Sequence, residues 1–202
     1  MHYAIAFNCA HFDFLKLTSR KPTLKHQLIH VTEGLVMVRL GKQEYAFGKG
    51  DTFWLPAGCL AALSYFPSTQ VQTIEVSQRV SDVFPHQAGY IQLTTLLQGL
   101  ISKLSKVPAD SEQAKALLAV IQYELTELKP KLNLTPLSNK LANWQLDSSK
   151  IKAETVLVLK VREAEKMRLS GKKVEQIAQK WFDNNDEAYR AISVAVLGNK
   201  EK

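Results

Sequence analysis

The stretch HQLIHVTEGLVMVRLGKQEYAFGKGDTFWLPAG, residues 26–58, decides the fold. It opens on strict alternation. Leu24, His26, Leu28 and His30 fall on one side, and Gln27, Ile29 and Val31 on the other. A period of two is the signature of a strand with two unlike faces. Gly34 and Gly41 then bound two further runs, LVMVRL and KQEYAF. GKGDTFWLPAG reads as turn, strand and turn: Gly50 and Gly58 permit tight turns, and Pro56 pre-sets a strand end. Beyond it, AALSYF and QVQTIEV add two more short strands. Several short strands punctuated by Gly and Pro form an antiparallel barrel or sandwich.

After about Ser77 the period changes. In YIQLTTLLQGLISKLSK the apolar residues Leu93, Leu96, Leu97, Leu100, Ile101 and Leu104 recur every three to four positions, which predicts an amphipathic helix. Past Pro108, Asp110 or Ser111 can cap a second helix. Its stripe is Ala114, Leu117, Leu118, Ile121, Leu125 and Leu128, and Pro130 stops it. Such leucine stripes need a partner surface: the barrel, each other, or a second subunit. KLNLTPLSNKLANWQLDSSK is weakly patterned and reads as short turns. The spacing then predicts a long helix over Ile151–Ser170 ended by Gly171, a short one over Val174–Trp181, the turn FDNN, and a last helix over Asp186–Leu197.

At 202 residues the chain can bury a sizeable core, and 46% hydrophobic with 22% charged residues excludes wholesale disorder. Cys9 and Cys59 match no zinc or redox spacing and are expected reduced and buried. The opening MHYAIAFNCAHF lacks a basic region followed by a long apolar run, and no stretch approaches a membrane span, so a soluble cytoplasmic protein is expected. The net charge of +7 divides as +2 over 1–82, +1 over 83–133 and +4 over 134–202. An excess leaning to the C-terminus suits nucleic-acid binding, and equally a solvated lysine-rich helical surface.

The segment 26–58 resembles the sensor domain of AraC-type transcription regulators. Gly50, Pro56 and Gly58 fall at the spacing of the second cupin motif, with Ala61 where its histidine stands. The resemblance implies a cupin-type barrel. Cupin enzymes hold a metal with two histidines and a glutamate of the first motif and one histidine of the second. Arg20, Pro22, Gln27 and Ala61 occupy those positions here, so neither metal nor cofactor is expected. His26 and His30 share a strand face without a third ligand and read as packing residues. A barrel without metal can still hold one small ligand. Gln27, Arg39, Tyr45, Trp54 and Tyr65 are the polar and aromatic candidates to orient it, each of which also suits a structural or surface place.

VREAEKMRLSGKKVEQIAQKWFDNNDEAYRAISVAVLG, residues 161–198, is similar to the second DNA-reading unit of the AraC family, on Arg162, Ala164, Gly171, Ile177, Ala178, Phe182, Tyr189, Arg190 and Gly198. The resemblance implies a helix-turn-helix whose last helix enters the major groove. Asn184, Asn185 and Arg190 then stand to contact bases or phosphates, and Lys172, Lys173 and Lys180 to contact phosphates. A plain helical hairpin with Asn185 as an N-cap uses the same residues. Asp186 and Glu187 open the last helix with repulsive charge, Trp181 replaces the family's usual glycine, and 134–149 is too short for a complete first unit.

These readings combine into an α+β chain, a cupin or jelly-roll β-barrel followed by an all-helical region with a helix-turn-helix. Residues 1–82 are expected to be the sensor barrel, 83–133 a linker with dimerisation helices, and 134–202 the DNA-binding region. The function expected is a ligand-responsive, dimeric regulator binding promoter DNA and a small effector, with no membrane partner and no catalysis. The alternatives are an interaction protein that dimerises without binding DNA, and a metal-free cupin enzyme, for which no nucleophile or His–carboxylate arrangement is apparent.

Overall fold

The computed structural model describes residues 4–145 and 148–198. Ten strands come first: β1 (Ile5–Phe12), β2 (Lys16–Leu17), β3 (Lys21–Pro22), β4 (Lys25–Glu33), β5 (Leu35–Leu40), β6 (Gln43–Gly48), β7 (Thr52–Leu55), β8 (Leu60–Tyr65), β9 (Thr69–Ser77) and β10 (Gly89–Ile91). Among the described residues six α-helices follow: α1 (Thr95–Leu104), α2 (Glu112–Thr126), α3 (Pro136–Ala142), α4 (Ala153–Leu169), α5 (Val174–Trp181) and α6 (Asp186–Leu197). One sheet runs β1-β9-β4-β7-β10. The other runs β2-β8-β5-β6, with β3 also on β8. Among the described residues every strand pairing is antiparallel, and the two sheets face each other as a barrel.

The alternation in β4 sorts as its sequence demands. Ile29 and Val31 join Val36, Val38, Phe47, Phe53 and Leu63 in the lumen. Leu28 points outward with Trp54 and Ile74, under the stripes of α1 and α2. A third cluster covers the outer face of the other sheet, where Met37 and Ala46 pack against Leu141, Trp144, Leu159, Ile177 and Tyr189. The barrel is thus a middle layer, with α1 and α2 on one side and α3–α6 on the other. Hydrophobic burial on both outer faces explains why β7 is buried at all four positions, although a strand with one wet face would alternate.

Two glycines mark close approaches. Gly34 has φ +83°, and a Cβ there would lie 2.6 Å from Thr69 Cα. At Gly89 a Cβ would lie 2.7 Å from the Lys131 carbonyl carbon. That approach lets Tyr90 and Lys131 exchange both backbone hydrogen bonds, at 2.9 and 3.0 Å.

Three expectations are corrected. Tyr90 and Ile91, read as the start of a helix, form β10, which pairs with β7; the barrel draws a strand from beyond residue 82. The stretch read as short turns contains α3. Its cap is local, Thr135 Oγ1 accepting from Ser138 N at 3.1 Å with Pro136 next in sequence, but the leucine pair Leu137 and Leu141 was too short a stripe to be seen. Cys9, expected to be buried, is exposed on the edge strand β1, and Cys59 is half-buried; both are free thiols.

Candidate functional site

The lumen contains a polar group of side chains among its apolar ones. Lys25 and Gln27 share the inward parity of Ile29, and Glu75 shares that of Val71 on the neighbouring strand. Lys25 Nζ donates to Glu75 at 2.8 Å and Gln27 Nε2 donates to it at 3.2 Å. The Tyr65 ring stacks on Phe12 with centroids 4.2 Å apart. Burial, and then the charge of Glu75, push the Tyr65 hydroxyl up to about 12. Tyr65 therefore stays a neutral donor and acceptor at any physiological pH. A carboxylate, an amide and an ammonium on one wall and a phenol on the facing one can orient a small polar ligand, since pockets are mainly apolar with a few convergent polar groups.

A second group lines the same lumen. Tyr45 lies 6.5 Å from Tyr90, and Tyr90 meets Phe53 edge-on at 5.0 Å. The Tyr90 hydroxyl leaves the lumen, donating to Ala46 O at 2.9 Å and meeting Ser138 Oγ at 2.7 Å. Ser138 in turn accepts from Ala46 N at 2.9 Å. β6 and β10 are the ends of their sheets, so Ser138, on α3, supplies partners to an edge strand that lacks a neighbour on that side.

Of the five residues expected around a ligand, Gln27, Tyr45 and Tyr65 face the lumen. The structure brings Gln27 and Tyr65 together around Glu75. Trp54 does not join them. It points outward, its Nε1 donating to Pro85 O at 2.9 Å and its ring packed beside His26 and Phe84. Arg39 also points outward, exposed on the other sheet, where its Nε donates to Gly41 O at 3.3 Å. Lys25, Glu75 and Tyr90 were missed. The parity of QVQTIEV would have placed Glu75 inward with Val71; nothing local marks Tyr90.

His26 and His30 lie on the outer face of β4 and pack. Ala57 N donates to His26 Nδ1 at 3.2 Å, so that nitrogen is unprotonated, and His30 Nδ1 meets Thr52 Oγ1 at 2.8 Å. Burial, with His86 nearby, lowers the pKa of His26; burial also lowers that of His30, against the opposing pull of Asp51. Among the described residues, no three His, Cys, Asp or Glu side chains converge to hold a metal ion.

The six residues expected at DNA are all exposed. Lys172 and Lys173 stand in the turn before α5, and Lys180 lies near its end, over the Trp181 ring at 5.3 Å. Asp183 and Asn184 are both left-handed, with φ 51° and 62°, which makes the turn into α6 abrupt. Asn185 caps α6, its Oδ1 accepting from Ala188 N at 2.8 Å. Arg190 follows on the free side of the helix. The buried side, Tyr189 and Val196, rests on α4 and the barrel, where Leu15 N donates to Val196 O at 2.8 Å.

An ion network locks α4 to the barrel. Arg162 is buried; its guanidinium takes both oxygens of Glu44 in a fork, with Nη1 to Oε2 at 3.0 Å, and its Nε donates to Ser64 Oγ at 3.0 Å. Lys166 bridges Glu44 at 3.3 Å and Glu163 at 2.7 Å. Burial pushes the Glu44 carboxyl up, but hydrogen bonds and charge from Arg162 and Lys166 outweigh it and hold it below the usual carboxylate range.

The profile of the AraC-like ligand binding domain matches residues 15–121. Among curated proteins nothing matches the chain. Among solved structures, ToxT from Vibrio cholerae aligns over 98% of this chain and 95% of its own, at 7% identity and a TM-score of 0.45. A cupin superfamily protein from Desulfitobacterium hafniense aligns over 39% of this chain and 72% of its own, at 13% identity and a TM-score of 0.36. KdgF from Halomonas sp. aligns over 39% and 74%, at 20% identity and a TM-score of 0.35. No described helix is long and apolar enough to cross a membrane. With the profile covering more than half of the 202 residues, and the barrel lying within it from Leu15 onward, the chain belongs to the AraC-like ligand binding domain family.

Proposed function

We propose that this chain is a ligand-responsive transcription regulator of AraC type that binds promoter DNA as a dimer and acts by binding rather than catalysis. Its barrel holds a small effector against Gln27, Tyr65 and Glu75, with Tyr45 on the same lumen. Helices α4–α6 form the helix-turn-helix, with Asn184, Asn185 and Arg190 toward bases and Lys172, Lys173 and Lys180 on phosphates. The observation that carries the reading is the pairing of an AraC-like ligand binding domain with a three-helix unit on which those six residues are all exposed. Leu96 on α1 and Val120 and Tyr123 on α2 are exposed apolar side chains on the helices assigned to dimerisation.

The test is binding to DNA fragments from upstream of the chain's own gene, at low and moderate salt. Sequence-selective binding that survives moderate salt supports the reading. Weak, unselective binding that vanishes with salt favours the second one, an interaction protein that has lost DNA affinity. Specific features favour that alternative: Asp186 and Glu187 open α6, and beside Arg190 its exposed side carries Ala191, Val194 and Ala195.

A further inference from the structure

Between the outer face of the β2-β8-β5-β6 sheet and α4 lies a groove of about 230 Å³. It is distinct from the barrel lumen. Arg20, Arg39, Glu44, Arg162 and Lys166, with the hydroxyls of Thr18 and Ser64, supply its polar lining, and leucine and alanine side chains supply the rest. Arg39 and Glu44 are direct cross-strand partners of β5 and β6. Arg162 and Lys166 are one turn apart on α4, so they share its barrel-facing side. The groove is therefore built by two layers of the molecule, one strand pair and one helix.

Its charge is unbalanced. Arg162 and Lys166 already share two carboxylates, Glu44 and Glu163. Arg20 and Arg39 are exposed at its rim and form no ion pair among the described residues. Four cations thus surround two carboxylates. The Glu44 carboxylate in the Arg162 fork shows the kind of group these walls accept, a planar oxyanion held by paired N–H donors. Arg162 and Lys166 hold Glu44 ionised in spite of its burial, which leaves Arg20 and Arg39 as the cations in excess.

We propose that this groove binds a small ligand through a carboxylate or phosphate group, held by Arg39 and Arg20 from the barrel side and by Lys166 from α4. Guanidinium forks match both oxyanions, and Lys166 can turn from Glu163 toward a third acceptor without losing Glu44. A volume below the usual 300–1,000 Å³ of drug-sized sites restricts the ligand to a few carbons beyond the oxyanion. A ligand held there ties the sensor barrel to the helix that leads into α5 and α6. The regulatory consequence rests on the reading above; the binding does not.

Inorganic phosphate and acetate are titrated separately into the full chain, replacing sodium chloride at constant ionic strength, and the melting temperature is followed. A saturable rise with either anion is expected. Phosphate alone points to phosphate monoesters, acetate alone to small carboxylic acids. Arg39→Gln and Lys166→Gln, at exposed and half-exposed side chains, should each weaken the response about tenfold or more, the scale of one charge-assisted hydrogen bond. No saturable effect beyond matched chloride overturns the site, and so does an undiminished response in Arg39→Gln. Promoter binding is measured on the same samples. Its absence in the wild type counts against the regulator reading alone, because the anion response is read from melting.

Discussion

At Glu44 two opposing effects meet, and charge wins. The carboxyl is held low in the folded state, so its contribution is full above its ordinary value of 4.5 and is lost as pH falls below that toward the folded value. Glu44→Gln should therefore flatten the acid limb of a melting-temperature-against-pH curve below about pH 5. Arg162→Met should destabilise at neutral pH by about 3 kcal/mol, because it leaves Glu44 facing α4 without its fork. Equal losses at pH 7 and pH 3 would argue against the ion pair as the cause. The histidines of β4 work in the same direction by another route. Their pKa values are lowered by burial, so the unfolded chain binds more protons, and stability drops as pH falls through 6.5, the ordinary histidine value. His26→Gln, which keeps a group able to accept from Ala57 N, should remove part of that slope in melting experiments between pH 7.5 and 5.5; an unchanged slope would clear His26. Asn184 separates conformation from contact. Its left-handed φ costs a non-glycine residue about 1–2 kcal/mol, so Asn184→Gly should leave the melting temperature equal or higher. If the Asn184 amide reads DNA, the same variant loses affinity, and unchanged affinity would remove it from the interface.

Elements were legible where one face differs from the other over enough length. The alternation of β4, the leucine stripes of α1 and α2, and the order α4–α5–α6 were all visible in sequence, since period and caps are local. The orientation of Trp54 was not. β7 is buried on both faces, so TFWL gives no parity until its neighbours are known. Arg39 was misjudged for a related reason: LVMVRL is apolar on both faces, with Val36 and Val38 inward and Met37 under the helices. The role of α3 was least legible, because it depends on partners far along the chain. Ser138 is bonded to Ala46 and Tyr90, 92 and 48 positions away. The Tyr90 ring lies in the lumen while its hydroxyl holds α3, so this residue can pass a lumen rearrangement to the helical layer. Tyr90→Phe keeps the ring and removes the hydroxyl. Amide exchange across 136–142 should speed several-fold, by the loss of one buried hydrogen bond worth about 1 kcal/mol, while exchange in α5 and α6 stays put. Faster exchange everywhere would mean general loosening instead.

For the whole molecule, helices cover the barrel on two opposite faces. The side of α1 and α2 turned from the barrel offers Leu96, Val120 and Tyr123, and the opposite layer carries Lys172 and Lys173 just before α5 and Lys180 within it. On the proposed reading dimerisation and DNA contact would use different sides, and the number of chains on one operator becomes a measurable quantity. Each phosphate neutralised contributes about −0.9 to the slope of log affinity against log salt. If Lys172 and Lys173 each touch one phosphate, Lys172→Gln with Lys173→Gln should make the slope shallower by about 2 for one bound chain and by about 4 for a dimer on two half-sites. Both lysines are exposed, so the double variant should melt as the wild type does. Binding isotherms at four or five salt concentrations measure the change. A slope that does not move would take these lysines off the backbone, and with them the placement of α5 beside the DNA. A change near 2 would leave a single chain on each site, so that any dimer would have to form without bringing its second helical layer onto the DNA.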